Sequence, residues 1–245
     1  SNMTGNLTTI GFDADDTLWH NERFFRVTQD RFAELLQDHT PPDLDRPALE
    51  RRLLAAEKRN LGRYGYGVKG FTLSMIETAI EVTDQQVPAA VIQELIVAGQ
   101  MMLSYPIDLL PHAQEAVTQL AANHRVVLIT KGDLLDQERK LAQSGLGDLF
   151  DAVEIVSEKT PEVYREIFNR HGDGIARAMM VGNSMRSDVV PPITAGGWGT
   201  YVPHGEIWEL EHAEPPEASP RYNAIADLSQ LPQLVSRIEK DRPAL

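Results

Sequence analysis

The sequence predicts an α/β fold in which an all-helical segment interrupts a parallel β-sheet. From Pro106 onward, short apolar runs typical of buried parallel strands alternate with amphipathic helical patterns. One more such run, residues 8–12, precedes a stretch from about 21 to 104 that has helical patterns and no strand signal. Because alternating strands and helices favour a parallel sheet with right-handed crossovers, the first strand belongs to that sheet and the helical stretch is an insertion.

The inserted stretch is predicted to hold four helices. Apolar residues recur there at helical spacing over residues 21–37, 49–61, 71–82 and 88–103. Between the second and third helices, residues 62–70 include four glycines in nine positions, which predicts a flexible loop. Tyr66 and Lys69 of this loop offer aromatic contact and positive charge to a substrate. The alternative is a helix–helix connection without a ligand role.

The rest of the chain alternates between strands and helices. Strands are predicted at residues 125–129, 150–156, 178–181, 199–202 and 223–226, and helices at residues 112–123, 134–144, 161–170, 189–195 and 231–239. Gly145 suits a helix end and Pro161 a first helical turn. We therefore predict a sheet domain of residues 1–20 and 105–245. Residues 21–104 are predicted to form a helical cap over the carboxyl edge of its strands.

Composition excludes several classes of function. No apolar run approaches the ~20 residues of a membrane helix, and no signal segment precedes the first strand. The 245 residues include no cysteine, which excludes disulfides and thiolate metal sites, so we expect a cytoplasmic protein with no membrane association. A net charge of −13 argues against nucleic-acid binding. An anionic small substrate stays possible, because a local cation can dominate a pocket.

The first strand ends in carboxylates. Asp13 and Asp15 follow it two positions apart, so their side chains point the same way where the strand ends. Two carboxylates this close repel, and one takes up a proton unless a cation lies between them. The carboxyl ends of strands are also where open α/β sheets bind ligands. The alternative is an acidic, solvated turn.

Three later strands also end in polar groups. The second ends in Thr130, followed by Lys131 and Gly132, whose backbone N–H groups suit an anion. The third leads to Lys159. The fourth leads to two oxygen donors for a hard cation, Asn183 and Asp188.

Each group also has a purely structural interpretation when it is taken alone. Thr130 suits a helix cap, Lys159 a solvated surface, and Asp188 a helix amino terminus. Together, however, the groups have the parts of phosphoryl transfer: a carboxylate nucleophile, a second carboxylate for proton transfer, and charge that stabilises the phosphoryl oxygens.

The four strand ends resemble the haloacid dehalogenase (HAD) superfamily. Its first motif, Asp-x-Asp-x-Thr, is similar to residues 13–17. Its second motif is a Thr or Ser after a strand, which is similar to Thr130. Its third motif is a lysine, which is similar to Lys159. Its fourth, a Gly-Asp segment with a later Asp, is similar to residues 182–188. The resemblance covers the whole chain, and it implies a Rossmann-like core with the helical insertion as its cap.

The resemblance also implies a role for each matching residue. Asp13 would be the nucleophile and a metal ligand, and Asp15 would be the acid/base that offers its backbone carbonyl to Mg²⁺. Thr130 and Lys159 would bind the phosphoryl group. Asn183 would be the third protein ligand of the metal, with Asp188 close behind it. Many members have Asp where this chain has Asn183, and a neutral amide binds a hard cation less tightly.

The expected function is Mg²⁺-dependent hydrolysis of a small phosphorylated metabolite. Dehalogenases of the superfamily lack a second Asp two residues after the nucleophile, so Asp15 favours a phosphatase. The alternatives are a phosphomutase of the same chemistry and a non-catalytic binding or regulatory protein of the same fold. Neither the substrate nor the oligomeric state follows from the sequence, nor does the choice between Asn183 and Asp188 as the direct metal ligand.

Overall fold

The computed structural model describes residues 6–205 and 207–240, and these fall into two compact units. The first, here the sheet unit, comprises the described residues up to Glu22, Ile107–Lys131 and the described residues from Gln137 onward. The second, here the helical unit, comprises Arg23–Pro106 and Gly132–Asp136. The short segment after the second strand therefore groups with the helices and not with the strand that it follows.

Four long helices lie in the inserted stretch, near their predicted positions. They are α1 (Glu22–Leu36), α2 (Arg46–Tyr64), α3 (Val68–Val82) and α4 (Ala89–Met102). Their apolar faces share one core, which includes Phe32, Leu53, Phe71, Met75 and Leu95. Burial of such side chains contributes about 1.5–3 kcal/mol each, so this core is the main source of the unit's stability.

The prediction of a flexible loop over residues 62–70 is wrong. α2 extends to Tyr64 and α3 begins at Val68, so only Gly65–Gly67 connects them, and Gly62 and Gly70 are helical. α2 also begins early, because the Asp45 carboxylate accepts a hydrogen bond from the backbone N–H of Ala48 at 2.9 Å. Gly65 and Gly67 have φ of 72° and 121°, backbone conformations that favour glycine. Two of the four glycines thus make a tight turn, and the others are compatible with a helix.

The sheet is parallel throughout, as predicted. Its strands are β1 (Thr9–Phe12), β2 (Arg125–Lys131), β3 (Ala152–Val156), β4 (Ala178–Gly182), β5 (Trp198–Tyr201) and β6 (Tyr222–Ala224). Their order is β3-β2-β1-β4-β5-β6. β1 is central and pairs Phe12 with Leu128 on one side and with Val181 on the other. β4 therefore ends one residue beyond the last residue of β1, and β2 ends three residues beyond it, all at the same edge of the sheet.

Both faces of the sheet are buried, which explains the continuous apolar runs of its strands. Phe12 and Leu128 belong to the apolar cluster on one face, and Ile129 and Met180 belong to the cluster on the other. Gly11 lies where a Cβ atom would come within 2.9 Å of the Phe168 ring, so its lack of a side chain lets a helix pack closely on β1.

Five more helices lie in the sheet unit, apart from the first three residues of α6, which group with the helical unit. They are α5 (Ala113–Ala121), α6 (Leu134–Ser144), α7 (Pro161–His171), α8 (Val190–Thr194) and α9 (Leu231–Lys240). Thr160 caps α7 by accepting a hydrogen bond from the N–H of Val163 at 3.2 Å. A turn of π-helix, Met185–Val189, precedes α8 and was not predicted. Within the part of the chain that the structure describes, no helix is both long enough and apolar enough to cross a membrane.

Candidate active site

Asp13 lies at the carboxyl end of β1 and is 8% exposed. Its backbone N–H donates to the carbonyl of Val181, which holds it against the end of β4. Its two carboxylate oxygens have separate partners: Lys159 Nζ is 2.8 Å from Oδ1, and Thr17 Oγ1 is 3.0 Å from Oδ2. The carboxylate is thus held in one orientation at the strand end.

Lys159 joins two carboxylates from different strand ends. Its Nζ atom lies 2.8 Å from Asp13 Oδ1 and 2.8 Å from Asp188 Oδ1, and its side chain is 1% exposed. The solvated-surface interpretation of Lys159 is therefore wrong. Asp188 is equally buried and accepts a second hydrogen bond from the N–H of Ser184 at 3.0 Å. The sequence-predicted residues of β1, β3 and β4 meet in one buried ion cluster.

Burial and mutual proximity shift the pKa values of this cluster. Burial, followed by the neighbouring Asp188 carboxylate, raises the pKa of Asp13 to about 7 against the lowering effect of Lys159. Burial also raises the pKa of Asp188. For Lys159, burial favours the neutral amine, but the carboxylates of Asp13 and Asp188 outweigh it and raise its pKa well above the ordinary value. The lysine is therefore an ammonium, and the carboxylates compete for its charge.

Thr17 connects the ends of β1 and β4. Its hydroxyl lies 3.0 Å from Asp13 Oδ2 and 3.3 Å from Asn183 Oδ1, and it accepts a hydrogen bond from the N–H of Asn183 at 3.1 Å. Because a hydroxyl has one proton, it donates to only one of these oxygens at a time. The carboxylate of Asp13 and the amide of Asn183 are thus held next to each other.

Gly182 makes room for Asp188. A Cβ atom at position 182 would lie 2.2 Å from Asp188 Oδ2, which no side chain tolerates. The π-helical turn Met185–Val189 returns Asp188 to the end of β4, where that carboxylate occupies the space beside the glycine. The Gly at the start of the fourth motif is therefore a packing requirement of the site.

Asp15 is held apart from the Asp13 cluster by its own partners. Its Oδ1 accepts hydrogen bonds from Trp19 Nε1 at 2.9 Å and Lys140 Nζ at 3.0 Å, and its Oδ2 accepts one from Gln137 Nε2 at 3.1 Å. Gln137 Nε2 also donates to Thr130 Oγ1 at 2.7 Å. Thr130 therefore does not act as a simple helix cap, and it shares a hydrogen-bond donor with the candidate acid/base.

Lys131 was predicted to offer its backbone N–H to an anion, and its side chain points to other partners. Its ammonium lies 2.8 Å from Glu211 Oε1 and 2.9 Å from Ser187 Oγ. Glu211 also accepts hydrogen bonds from the hydroxyls of Ser184 and Ser187. Burial alone would raise the pKa of Glu211, but Lys131 and the two hydroxyls outweigh burial and lower it. The Lys131 side chain thus has an internal carboxylate partner.

The remaining sequence-predicted residues lie in the helical unit. Gly132 has a φ of 137°, which favours glycine. Tyr66 is half-buried in the connection between α2 and α3. Lys69 is exposed in the first turn of α3, and its backbone N–H donates to Asp133 Oδ2 at 3.0 Å.

The third carboxylate of the first motif has a structural role. Asp16 has a φ of 62° and accepts hydrogen bonds from the N–H groups of Asn21 and Glu22, at 2.8 and 3.0 Å. It therefore caps the start of α1. Burial, the largest influence, raises the pKa of Asp16, although these N–H groups act in the opposite direction.

The donor chemistry of the strand ends fits a hard cation. Within residues 6–205 and 207–240, no three His, Cys, Asp or Glu side chains are grouped so as to hold a metal ion. The groups that are present are the carboxylates of Asp13 and Asp188 and the amide of Asn183, all oxygen donors of the kind that Mg²⁺ prefers. The backbone carbonyl of Asp15 would add a fourth oxygen.

Sequence reasoning missed several residues that contact the site. Gln137 and Lys140 lie one turn apart on the helix that follows β2, and that spacing after Thr130 was an available signal. Thr17 was part of the recognised motif without an assigned contact. Glu211 lies in the long segment after β5, where no pattern distinguishes it from exposed acidic residues.

A parallel sheet that gathers two carboxylates and a buried lysine at its carboxyl edge has the arrangement of an enzyme site for a small ligand. A family model, haloacid dehalogenase-like hydrolase, matches residues 7–196. The chain therefore belongs to the haloacid dehalogenase-like hydrolases. A search of curated proteins found no match.

Solved structures support this assignment. A haloacid dehalogenase-like family hydrolase from Xanthomonas campestris is 40% identical, with a TM-score of 0.84 over 96% of this chain and 92% of that one. Two more distant structures show the fold alone. A predicted phosphoglycolate phosphatase from Haemophilus somnus is 15% identical, with a TM-score of 0.62 over 93% of this chain and 97% of its own. An L-2-haloacid dehalogenase from Xanthobacter autotrophicus with covalently bound chloropropionic acid is 18% identical, with a TM-score of 0.60 over 94% of this chain and 98% of its own.

Proposed function

We propose that the protein is a Mg²⁺-dependent phosphomonoesterase that acts on a small phosphorylated metabolite through an aspartyl phosphate on Asp13. The observation that carries this proposal is Asp15, a second carboxylate two residues after the nucleophile, held by three hydrogen-bond donors. A phosphate ester releases an alkoxide that needs a proton, and a carboxyl group beside the nucleophile supplies it.

The reaction has two steps. In the first, an Asp13 oxygen attacks phosphorus, the bond from phosphorus to the leaving oxygen breaks, and Asp15 gives that oxygen a proton. In the second, water attacks the aspartyl phosphate, its proton passes to Asp15, and the carboxylate of Asp13 is released with inorganic phosphate. Asp15 thus ends the cycle in the state in which it began.

Positive charge and hydroxyl groups stabilise the transferred group. The ammonium of Lys159 lies 2.8 Å from Asp13 Oδ1, which supports a role in stabilising the negative charge of the phosphoryl oxygens after Asp13 attacks. Thr130 accepts a hydrogen bond from Gln137 at 2.7 Å and donates a longer one, 3.3 Å, to the carbonyl of Lys131, which a phosphoryl oxygen would replace as the acceptor. Mg²⁺ on Asp13, Asn183, Asp188 and the Asp15 carbonyl would supply further charge for the phosphoryl oxygens and favour the ionised form of Asp13.

A dehalogenase is the competing activity within the family. Displacement of a halide by a carboxylate leaves a stable anion that needs no proton, so such a reaction has no use for Asp15. The distant dehalogenase relative is only 18% identical and shares the fold alone. We therefore assign the chain to phosphate-ester chemistry.

The test is a substrate assay with matched metal conditions. Purified protein is given p-nitrophenyl phosphate, a panel of phosphorylated metabolites and L-2-chloropropionate, each with EDTA or with Mg²⁺. We expect release of phosphate that needs Mg²⁺, and no chloride release. Chloride release without phosphate release would overturn the proposal, and isomerised product without free phosphate would indicate a mutase.

Two variants test the assigned roles. Asp13→Asn is expected to abolish turnover while the circular dichroism spectrum stays unchanged, because an amide keeps the shape but accepts no phosphoryl group. Asp15→Asn is expected to lower turnover of an alkyl phosphate by about 10²–10⁴-fold. Near-wild-type activity in folded Asp13→Asn would contradict the mechanism.

A further inference from the structure

Two residues on α6 contact the candidate acid/base, and neither belongs to the four motifs. We propose that Lys140 and Gln137 are positioning residues that hold the Asp15 carboxylate in the orientation required for proton transfer. This inference rests on the proposed function, because it presumes that Asp15 exchanges a proton with the leaving oxygen.

Lys140 is a buried lysine with a defined partner. It is 7% exposed, and its Nζ atom lies 3.0 Å from Asp15 Oδ1 and 3.1 Å from Asn21 Oδ1. Lysines are rarely this buried unless they are paired. Hydrogen bonds to an ionised carboxylate are about twice as strong as neutral ones, and Lys140, unlike Trp19, also brings a full positive charge to Asp15.

Gln137 bonds the other oxygen of Asp15. It is 3% exposed, and its Nε2 lies 3.1 Å from Asp15 Oδ2, 3.1 Å from the carbonyl of Lys131 and 2.7 Å from Thr130 Oγ1. A carbonyl only accepts hydrogen bonds, and so does an ionised carboxylate, so the NH₂ group of Gln137 must face them. The NH₂ group has two protons for three acceptors, so Asp15, the Lys131 carbonyl and the Thr130 hydroxyl share its hydrogen bonds, and Gln137 connects the acid/base to that hydroxyl.

This arrangement has a consequence for the first chemical step. With donors on both oxygens, Asp15 cannot rotate freely, and it meets the leaving oxygen from one orientation. When Asp15 gives up its proton it becomes a carboxylate, and the ammonium of Lys140 stabilises that charge. The benefit is larger for a poor leaving group, whose departure depends on the proton, than for an activated aryl oxide.

The experiment compares kcat/KM for two esters in Lys140→Met. One ester is p-nitrophenyl phosphate, and the other is the alkyl phosphate that the wild type hydrolyses best. Because kcat/KM reports the steps up to phosphoryl transfer, it isolates departure of the leaving group. We expect a loss of roughly 10–100-fold on the alkyl ester, within the range of acid–base effects, and less than about threefold on the aryl ester.

A double mutant separates positioning from general damage. If Lys140 acts through Asp15, then Lys140→Met in the Asp15→Asn background should change alkyl phosphate hydrolysis by less than about twofold, whereas independent effects would multiply. Lys140→Arg keeps the charge and should recover part of the lost rate. Arg139→Met is the matched control: Arg139 is the next residue on α6, its Nη1 donates to Gln143 Oε1, and its loss should leave both rates unchanged.

Three outcomes would overturn the inference: equal losses on both esters, multiplied losses in the double mutant, or wild-type kinetics in folded Lys140→Met. If Lys140→Met melts at a much lower temperature than the wild type, Gln137→Leu replaces it in the same measurement. We again expect a larger loss of kcat/KM on the alkyl ester than on the aryl ester. A wild-type protein that hydrolyses neither ester would overturn the proposed function and, with it, this inference. A wild type that needs Asp15 but not Lys140 would overturn the inference alone.

Discussion

Asp13 and Asp188 share the charge of a single lysine, Lys159, and this sharing affects the ionisation of Asp13, the proposed nucleophile. With a pKa near 7, Asp13 is only partly ionised at neutral pH, and attack on phosphorus requires the ionised form. Lys159 lowers that pKa but is divided between two carboxylates. Further positive charge beside Asp13 would therefore favour its ionised form, and in the proposed Mg²⁺ site the neutral amide of Asn183 adds no negative charge to the ligands.

Asn183→Asp should tighten Mg²⁺ binding. A carboxylate in place of the amide adds one negative charge beside Asp13, and affinity for hard cations rises with ligand charge. The Mg²⁺ concentration for half-activation should fall roughly three- to tenfold, and the same shift should appear in a thermal-melt titration with Mg²⁺. Asn169→Asp, an added charge on the exposed face of α7, is the control and should shift neither curve.

If Asn183→Asp leaves the half-activation concentration unchanged, Asn183 is not a direct ligand and Asp188 takes its place. The sequence left these two residues as alternatives. The structure places both near Asp13, Asn183 through Thr17 and Asp188 through Lys159.

Residues that meet at the strand ends were predictable, but their hydrogen-bond partners were not. Parallel strands bring their carboxyl ends to one edge, so the pattern of Asp13, Lys159 and Asp188 after strands was enough to predict that they lie together. The hydrogen-bond partners depend on side-chain rotamers and on how deeply each side chain is buried. No spacing rule indicates that Lys131 pairs with Glu211, 80 positions later, while Lys159 enters the site.

Among the elements, the π-helical turn Met185–Val189 has the largest effect on the site. The hydroxyl of Ser184 accepts from the N–H of Ser187 at 3.0 Å, and the N–H of Asp188 donates to the carbonyl of Ser184 at 2.8 Å. These bonds wind the chain so that Asp188 points back to β4. A π-turn has no sequence period of its own, and the pattern was therefore compatible with a plain helix start at 189.

The turn between α2 and α3 gives a prediction about stability. Gly67 has a φ of 121°, and a Cβ atom there would lie 2.8 Å from the Asp133 carboxylate, so Gly67→Ala should lower the free energy of unfolding by about 1–3 kcal/mol. Gly62 is in α2, and a Cβ atom added there would meet no atom within 4 Å, so Gly62→Ala should raise stability by up to about 1 kcal/mol.

Urea unfolding of the two variants decides this prediction, because each is the control for the other. We expect opposite changes in the free energy of unfolding from the same Gly→Ala substitution, because position 67 has a backbone conformation that favours glycine and position 62 is helical. A Gly67→Ala variant as stable as the wild type would contradict the backbone conformation of this turn.

Across the residues that the structure describes, the chain combines a sheet unit, which has the buried cluster of Asp13, Lys159 and Asp188, with a helical unit that has a separate core. The parallel sheet and the helical insertion follow from periodicity, because strand and helix patterns differ over many residues. The order of the strands in the sheet does not follow from the sequence, because the alternation of strands and helices predicts parallel pairing but not which strands are neighbours. The assignment of Gly132–Asp136 to the helical unit also has no sequence signature.

We predict that this division separates chemistry from substrate preference. Tyr66→Ala and Lys69→Ala change an aromatic and a cationic side chain of the helical unit, whereas the groups assigned to phosphoryl transfer stay intact. The two variants should reorder kcat/KM across a panel of phosphorylated metabolites and leave p-nitrophenyl phosphate hydrolysis within about twofold of the wild type. The same ranking of metabolites in both variants would assign specificity to other residues.

The buried cluster of Asp13, Lys159 and Asp188 also has a meaning for folding. Lys159 is 146 positions from Asp13 and 29 from Asp188, and the strand before it, β3, is separated from β1 by β2. A strand order that buried one of these charges without its partner would cost about 3–5 kcal/mol. Total stability of a protein is typically only about 5–15 kcal/mol, so such misfolded sheets lose much of it. The ion cluster thus disfavours any strand order that separates its charges and keeps them buried.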